Sequence, residues 1–244
     1  MNSKPAIILI NPQLGENIGM VARAMLNCGL TDLRIVNPRD RWPSDRANAA
    51  SSGAFECGVT PTIYNSTLEA TNDLHYILAT TARPRGMIKD VHTPRAAMDI
   101  AHTQISKGQN VGILFGAERT GLENEDVALS NAIITVPLNP DFSSLNLAQA
   151  VLLTSYEFMI QADNTPDTQM HTGKTDVADM DTTHKFTDRM IDELSKVGFF
   201  KSPEMRPTME RSLTNLISRH NWTEQEIQTL HGILSALTNP KQHF

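Results

Sequence analysis

Residues 6–28 decide the fold class, and they read AIILINPQLGENIGMVARAMLNC. The first five residues form a continuous apolar run that ends at Asn11-Pro12, a pattern typical of a short strand buried on both faces. From Asn17 to Cys28 the apolar residues recur at the three- and four-residue spacing of an amphipathic helix. Gly29 occupies the position that commonly follows the end of a helix. The passage therefore predicts a buried strand followed by a helix.

The same alternation continues as far as residue 160. Further strands are predicted at Leu33–Val36, Val59–Tyr64, Tyr76–Thr81, Val111–Phe115 and Ala132–Val136. Helices are predicted within Ser44–Ala54 and at Leu68–Leu74, Pro94–Ile105, Glu123–Leu129 and Leu147–Met159. Short buried strands that alternate with helices indicate an α/β fold with a mainly parallel sheet.

The composition changes after Gln161. Residues 163–185 are rich in Thr, Asp, Asn and Gly and have few side chains to bury, which predicts a linker. Residues 186–244 contain three apolar stripes at helical spacing, the second including Leu216 and the third Leu237, and Thr223–Glu226 has the pattern of a capping box. We therefore expect an α/β domain at 1–162, a linker at 163–185 and a small helical domain at 186–244.

Length and composition exclude several classes of protein. The 244 residues are 40% hydrophobic and 20% charged, which is unlike disordered chains or collagen-like and coiled-coil fibres. No apolar run approaches the ~20 residues of a membrane helix, and Ala6–Ile10 is too short for a signal peptide. Cys28 and Cys57 lack CxxC spacing, so we expect neither a disulfide scaffold nor a zinc ribbon and assign the chain to a reducing cytoplasm.

The net charge of −6 argues against a nucleic-acid-binding protein until its distribution is considered. Residues 1–100 contain ten Lys or Arg against nine Asp or Glu, so the acidity belongs to the middle of the chain. Eight arginines lie in the first 95 residues, and arginine matches the geometry of phosphate. Scattered solvated arginines remain the alternative.

Several kinds of catalytic site have no support in the sequence. The eight histidines are dispersed without HxxxH or HExxH, so we expect no metal. GxSxG and Walker A sequences are also missing. Gly15–Gly19 follows the first strand but is not GxGxxG, which leaves a nucleotide-dependent oxidoreductase only weakly supported.

Three segments place glycine or polar groups at the carboxyl ends of predicted strands, where open parallel sheets bind ligands. They are Asn17–Arg23 (NIGMVAR), Leu114–Leu122 (LFGAERTGL) and Val136–Leu147 (VPLNPDFSSLNL). We expect Asn17 to cap a helix and Arg23 to lie about a turn and a half into it, where a phosphate could bind. Each segment alone is equally consistent with an ordinary capped helix or turn.

The second and third segments also contain candidate functional groups. Two glycines bracket the turn of the second segment, and the carboxylate of Glu118 is predicted to hold that turn. In the third, Ser144 or Asn146 is predicted to open the following helix. Backbone groups in this proline-stiffened loop suit an adenine edge, and its hydroxyls and amides suit a ribose or substrate oxygen.

Together and in this order, the three segments resemble the signature motifs of the SpoU/TrmH family of RNA ribose 2′-O-methyltransferases, within the SPOUT class. The matches are N-x-G-x-x-A-R at 17–23, L-F-G-x-E-x-x-G-L at 114–122 and P-L-N-P-D-F-S-S-L-N-L at 137–147. The resemblance spans residues 6 to about 160. The sequence PDFSSLNLAQA and the helical tail are most similar to the TrmJ branch, whose members methylate the 2′-hydroxyl of residue 32 in the tRNA anticodon loop.

The resemblance implies a parallel α/β domain with a deep trefoil knot, built here from residues about 110–155, and S-adenosylmethionine as methyl donor. The implied cofactor-binding residues lie in three loops. They are Thr80, Thr81 and Ala82, then Gly116 and Glu118, then Val136, Leu138, Ser143, Ser144 and Leu145.

The resemblance also implies a catalytic set of Arg23, Asn17, Ser144 and Asn146. We expect Arg23 to hold the phosphate beside the target ribose and to stabilise a developing alkoxide, since a guanidinium is a poor base. Arginine acting as the base stays open. Ser144 and Asn146 would orient the hydroxyl or the loop, and Asn17 would hold the turn that bears Arg23.

The expected partners are tRNA and a second copy of the chain, with no membrane. In this family the active site forms at a homodimer interface, so Arg23 could serve the cofactor of the other chain. The predicted phosphate contacts are Arg34, Arg39, Arg41, Arg46, Arg83 and Arg85. Methylation of another tRNA position or of rRNA, and a non-catalytic knotted RNA-binding protein, remain alternatives.

Overall fold

Seven strands of the N-terminal unit pair in parallel to form one sheet in the computed structural model, which describes residues 4–82, 87–166, 168 and 173–238. The strands are β1 (Ala6–Ile10), β2 (Asp32–Val36), β3 (Thr60–Tyr64), β4 (Tyr76–Thr80), β5 (Val91–His92), β6 (Val111–Phe115) and β7 (Ala132–Ile134). Their order across the sheet is β3-β2-β1-β6-β4-β7-β5. The predicted parallel α/β fold is confirmed.

Nine helices accompany the strands in the described part of the chain. The N-terminal unit contains α1 (Gly15–Asn27), α2 (Asp45–Ser51), α3 (Thr67–Thr71), α4 (Pro94–Ser106), α5 (Asn124–Ala128) and α6 (Leu147–Ile160). The C-terminal unit contains α7 (Met180–Lys196), α8 (Arg206–Ser218) and α9 (Glu224–Thr238). The two compact units meet in sequence at Thr165 and Pro166.

The alternating side chains of β1 build a core on each face of the sheet. Ile7 and Leu9 belong to a cluster that includes Val21 of α1, Met98 of α4 and Val151 of α6. Ile8 and Ile10 belong to the opposite cluster, which includes Ala70 of α3 and Val127 of α5. Every residue of β1 and of its neighbour β6 is buried, which explains why both appear in the sequence as continuous apolar runs.

Strand order brings the three family motifs to one edge of the sheet. Strands β1, β6, β4 and β7 are successive neighbours, and all run in the same direction. The segments that follow these strands therefore emerge together at the carboxyl edge of the sheet. They carry the start of α1, the 116–122 turn, the 81–82 loop and the long loop that leads into α6.

Gly19 fixes how α1 meets α2. A Cβ atom at this position would lie 2.1 Å from the carbonyl oxygen of Ala47, a distance at which no side chain fits. The glycine of the first motif therefore allows the two helices to pack with their backbones in close approach, which positions the C-terminal end of α2 beside the middle of α1.

Helix α7 begins within the segment predicted as a linker. The Asp179 side chain accepts a hydrogen bond from the backbone N–H of Thr182 at 2.7 Å and caps the helix, so helical structure starts at Met180 and not at residue 186. Val177 forms an isolated bridge with Thr223 of the same unit. The predicted capping box is confirmed, since Glu226 accepts from the Thr223 N–H at 2.8 Å and donates its own N–H to Thr223 Oγ1 at 3.2 Å.

The core of the C-terminal unit is small. Phe186, Ile217 and Ile227 are buried together, one from each helix. Leu216 and Leu237, which the predicted stripes include, are 47% and 75% exposed. The trefoil knot stays a prediction of the family resemblance.

Candidate active site at the carboxyl edge of the sheet

A cavity of about 400 Å³ opens at the carboxyl edge of β4, β6 and β7. All ten residues predicted to bind a cofactor line it: Thr80, Thr81, Ala82, Gly116, Glu118, Val136, Leu138, Ser143, Ser144 and Leu145. The wall also contains Phe115, Ile134 and the start of α6. The three loops named from the sequence therefore surround one cavity, although they are separated by up to 65 residues along the chain.

The turn of the second motif is closely packed on itself. Gly121 donates its N–H to the carbonyl of Ala117 at 2.8 Å. A Cβ atom at Gly116 would lie 2.1 Å from both the carbonyl carbon of Gly121 and the backbone nitrogen of Leu122. Gly121 itself has a φ of 71°, in the left-handed region that favours glycine. Both glycines of this motif are therefore required by the shape of the turn.

The Glu118 carboxylate, which the sequence predicts to hold its own turn, instead binds the segment that begins α1. Its Oε2 accepts the N–H of Gln13 at 2.8 Å, and its Oε1 accepts the N–H of Leu14 at 3.3 Å and the side-chain amide of Asn17 at 2.7 Å. These donors precede or begin α1. A carboxylate at the N-terminus of a helix also interacts favourably with the helix dipole. Glu118 therefore anchors the first motif to the second.

Asn17 continues this chain of contacts to the third motif. Its Oδ1 accepts a hydrogen bond from Nδ2 of Asn146 at 3.2 Å, while Oδ1 of Asn146 accepts the N–H of Ala148 at 2.8 Å. Because a carboxylate only accepts, it fixes the orientation of the Asn17 amide, which in turn fixes that of Asn146. The hydrogen-bond chain from Glu118 through Asn17 to Asn146, called the Glu118–Asn17–Asn146 chain below, thus connects all three motifs. The prediction that Asn146 opens α6 is confirmed.

The predicted capping role of Asn17 is wrong. Helix α1 begins at Gly15, its N-cap position is Leu14, and neither that residue nor Asn17 caps it with a side chain. The acceptors come from distant segments: Glu118, and Asp40, whose Oδ2 accepts the Gly15 N–H at 3.0 Å. The sequence could not show this, because the two acceptors are 104 and 25 residues away from the groups that they satisfy.

Arg23 lies apart from the cavity of its own chain. It is the ninth residue of α1, more than two turns from the N-terminus, so its predicted position near that end is wrong. The side chain is exposed, and its Nη1 donates to Ser52 Oγ at 3.3 Å beyond the end of α2. Arg23 is not among the residues that line the cavity. Asn17, Ser144 and Asn146 lie at or beside the cavity, and Arg23 does not join them.

Arg34 is not a phosphate contact, contrary to the sequence prediction. Its side chain is buried, donates to the carbonyl of Ala70 at 2.8 Å, and forms ion pairs with Asp32 and Asp73. Hydrogen bonding to these carboxylates raises the pKa of Arg34, and the guanidinium lowers the pKa of Asp73. Arg34 instead connects β2 to the end of α3.

The remaining predicted RNA contacts divide into two groups. Arg39, Arg41 and Arg46 are exposed in or near the loop between β2 and α2, where Arg46 forms an ion pair of 3.6 Å with Glu16. Arg83 and Arg85 lie outside the described residues.

Arg119 is a cavity residue that the sequence analysis did not single out. It lies in the second motif, at a position that the family pattern leaves variable, and it is exposed at the edge of the cavity. Its adjacency to Glu118 was the available signal, because neighbours in a tight turn lie close to the same cavity.

The described residues contain neither a helix with the length and apolar character needed to cross a membrane nor a group of three His, Cys, Asp or Glu side chains able to hold a metal ion.

Fold and cavity together define a parallel α/β protein with its ligand site in the loops of three sequence motifs, and the chain belongs to the SpoU rRNA Methylase family, whose sequence profile matches residues 4–156. The tRNA (cytidine/uridine-2′-O-)-methyltransferase TrmJ of Photorhabdus laumondii is 33% identical over 232 residues, which is 95% of each chain. The crystal structure of TrmJ from Z. mobilis ZM4 is 45% identical with a TM-score of 0.83, covering 97% of this chain and 100% of that one.

A more distant solved structure shares the fold. The SpoU methyltransferase AviRb from Streptomyces viridochromogenes, in complex with the cofactor AdoMet, has a TM-score of 0.55 and 20% identity. It covers 66% of this chain and 59% of its own.

Proposed function

We propose that this chain is an S-adenosylmethionine-dependent tRNA methyltransferase that methylates the 2′-hydroxyl of a cytidine or uridine at position 32 of the anticodon loop. The observation that carries the proposal is the Glu118–Asn17–Asn146 chain, which joins the three family motifs beside one cavity. The Photorhabdus laumondii relative, which matches nearly the whole chain and is named as a tRNA methyltransferase, supports tRNA as the substrate.

The cavity suits S-adenosylmethionine in size and in chemistry. A volume of about 400 Å³ falls in the range of small-molecule sites. Phe115, Ile134 and Leu138 offer an apolar surface for the adenine ring, while the hydroxyls of Ser143 and Ser144 suit ribose and polar groups. Bound there, the cofactor supplies a methyl group on a positively charged sulfur.

The residues around the cavity position the acceptor. Asn146 is held by Asn17 and by its capping bond, so its place beside Ser144 at the start of α6 is fixed before RNA binds. We assign Ser144 and Asn146 to orienting the ribose hydroxyl or its loop. Arg23, which stays protonated, holds the phosphate beside the target ribose and stabilises the developing alkoxide.

Arg23 can take that role if a second copy supplies it. The side chain lies apart from the cavity of its own chain, and helix α6 is apolar on two faces. One face is buried in the core through Val151 and Phe158, and the other leaves Leu152 and Leu153 each 40% exposed and Tyr156 47% exposed. An apolar helix face of this kind is typical of a subunit interface. We therefore propose a homodimer, and light scattering that shows a fully active monomer would contradict it.

We place the enzyme in the cytoplasm, where a tRNA substrate is available. The two cysteines support a reducing compartment, since Cys28 is buried, Cys57 is exposed, and both are free thiols.

The test is transfer of radiolabelled methyl from S-adenosylmethionine to total tRNA, followed by mapping of the modified nucleoside. We expect label on the ribose of residue 32. Label at another tRNA position or in rRNA would redirect the proposal to a different substrate, and label in no RNA would refute the enzyme.

The role of Arg23 gives a second measurement. We expect Arg23→Ala to lower methyl transfer by at least a hundredfold while the Kd for S-adenosylmethionine changes less than about twofold, because the side chain contacts RNA and not the cofactor. A parallel loss of cofactor binding would instead assign Arg23 to the cofactor site or to the fold.

A further inference from the structure

The tip of the 117–121 turn presents one cation at the edge of the cavity. Arg119 lies between two residues that pair with each other, since Ala117 and Gly121 form a bridge closed by a hydrogen bond of 2.8 Å. The neighbouring Glu118 is tied to the start of α1 by three hydrogen bonds. The backbone that carries Arg119 is therefore held from both sides, although its own side chain is exposed.

Arg119 is the only cationic side chain among the described residues that line the cavity. The only anionic one, Glu118, has its carboxylate occupied by Gln13, Leu14 and Asn17. Among the described residues, no hydrogen bond or ion pair engages the guanidinium of Arg119. Within the described residues, the positive charge of Arg119 at the edge of the cavity therefore has no partner that would stabilise the fold.

An unpaired guanidinium in this position can bind an anion. It has five donors in a planar fork that matches a phosphate or a carboxylate, and it stays charged throughout the pH range of enzymes. The proposed cofactor carries one carboxylate beside its cationic sulfonium and ammonium groups, and RNA carries a phosphate at every nucleotide. Because Arg119 is exposed at the edge of the cavity, we favour an anion that arrives from solvent. The phosphates on either side of a target ribose are groups of this kind.

We infer that Arg119 binds a backbone phosphate of the RNA beside the target nucleotide, within the same chain that binds the cofactor. This inference rests on the proposed function and adds to it a positioning residue. Because Arg23 lies away from this cavity, Arg119 is the group that lets one chain hold the substrate backbone against its own cofactor.

The test compares Arg119→Gln and Arg119→Lys with a matched charge removal, Lys107→Gln. Lys107 is exposed at the end of α4, just before β6 begins, and so lies at the opposite edge of the sheet. For each protein we would measure kcat and KM for tRNA, the Kd for tRNA by fluorescence anisotropy at several salt concentrations, and the Kd for S-adenosylmethionine by calorimetry.

We expect Arg119→Gln to raise the Kd and KM for tRNA about tenfold, which is the effect of losing one charge-assisted hydrogen-bonded pair. The dependence of log Kd on log salt should become shallower by roughly one phosphate contact. Arg119→Lys should recover part of the loss because it keeps the charge, and Lys107→Gln should behave as the wild type. The Kd for S-adenosylmethionine should stay within about twofold in all four proteins.

Two results would overturn the inference. Wild-type tRNA affinity and salt dependence in Arg119→Gln would show that the residue contacts no phosphate. A weaker Kd for S-adenosylmethionine with unchanged tRNA affinity would assign Arg119 to the cofactor's carboxylate. A wild-type protein that binds tRNA but transfers no methyl would refute the proposed function alone, since the anisotropy comparison still tests the Arg119 contact.

Discussion

At the residue scale, Glu118 is where the contacts of the site converge. One carboxylate accepts two backbone N–H groups before α1 and the amide of Asn17 within it. A glutamate beside a cofactor with a positively charged sulfur would be expected to bind that charge, but the contacts of Glu118 give it a different role. The acid is used to hold the first motif in place, and its negative charge is satisfied by donors of the protein.

The change Glu118→Gln tests this role. Glutamine has one acceptor oxygen, and its NH₂ group would face the N–H of either Gln13 or Leu14, so at least one donor near α1 loses its partner. We expect kcat to fall about a hundredfold, which corresponds to roughly 2.7 kcal/mol and is within the range for a lost bond to a charged group. The melting temperature should also fall.

The matched control is Glu125→Gln, which removes the same charge from an exposed position on α5. It should keep wild-type kcat and melting temperature. If Glu118→Gln also kept wild-type kcat, the connection between the motifs would have no role in turnover.

At the scale of elements, the sequence predicted most strands and helices to within a few residues because their burial is local in origin. Strand β6 is buried at every position, so its apolar run identifies it. Strand β5 was missed because it has two residues, and Val91 is 60% exposed. The start of α1 was misplaced because its caps, Glu118 and Asp40, come from other segments.

In the candidate site too, the correct predictions rest on local sequence and strand order, and the wrong ones involve contacts with distant segments. Loops that follow neighbouring parallel strands must meet at one edge, so the ten cavity residues could be named from motif order and family resemblance. Arg34 was misassigned because its burial depends on the segment at the end of α3, where Ala70 and Asp73 bind it from 36 and 39 residues away. Patterns along the chain predict which edge carries the site but not which charged side chains are already paired.

Helix α9 packs against α7 through a contact that depends on pH. Arg189 of α7 contacts Nδ1 of His231 at 2.9 Å and donates to Ser235 Oγ at 2.7 Å. Since arginine can only donate, His231 must be neutral to accept this bond. Burial, and then the charge of Arg189, lower the pKa of His231 below its ordinary 6.5.

A lowered pKa in the folded state means that the unfolded state binds the proton more tightly, so this contact stabilises the C-terminal unit above about pH 6.5 and is lost as the pH falls. We expect hydrogen-exchange protection factors of α9 amides to decrease between pH 7.5 and pH 5.5. His231→Gln should remove most of that pH dependence, whereas His184→Gln, at an exposed position of α7, should retain it. Equal pH dependence in both variants would exclude His231 as the titrating group.

At the scale of the whole molecule, the net charge of −6 and an RNA substrate are compatible because the charges are unevenly distributed. In the acidic middle of the chain, the Glu118 carboxylate is already bound by donors of the protein, and the proposed homodimer would cover the exposed face of α6. Exposed cations remain at Arg119 and around Arg39, Arg41 and Arg46. RNA would then be held by a few local contacts, with no broad basic field.

A site shared between two chains predicts complementation between inactive variants. Arg23→Ala and Ser144→Ala should each be inactive alone, because every site lacks one of the two groups. In a mixed dimer, one site combines Ser144 of the first variant with Arg23 of the second and is complete, while the other site lacks both. Random re-association of an equal mixture makes half of the dimers mixed, each with one of two sites intact, so activity should return to about one quarter of the wild-type value.

The measurement is methyl transfer to tRNA after the variants are mixed, dissociated and re-associated. If Arg23 and Ser144 served the same site from one chain, no mixture could contain a complete site, and activity would stay at the level of the separate variants.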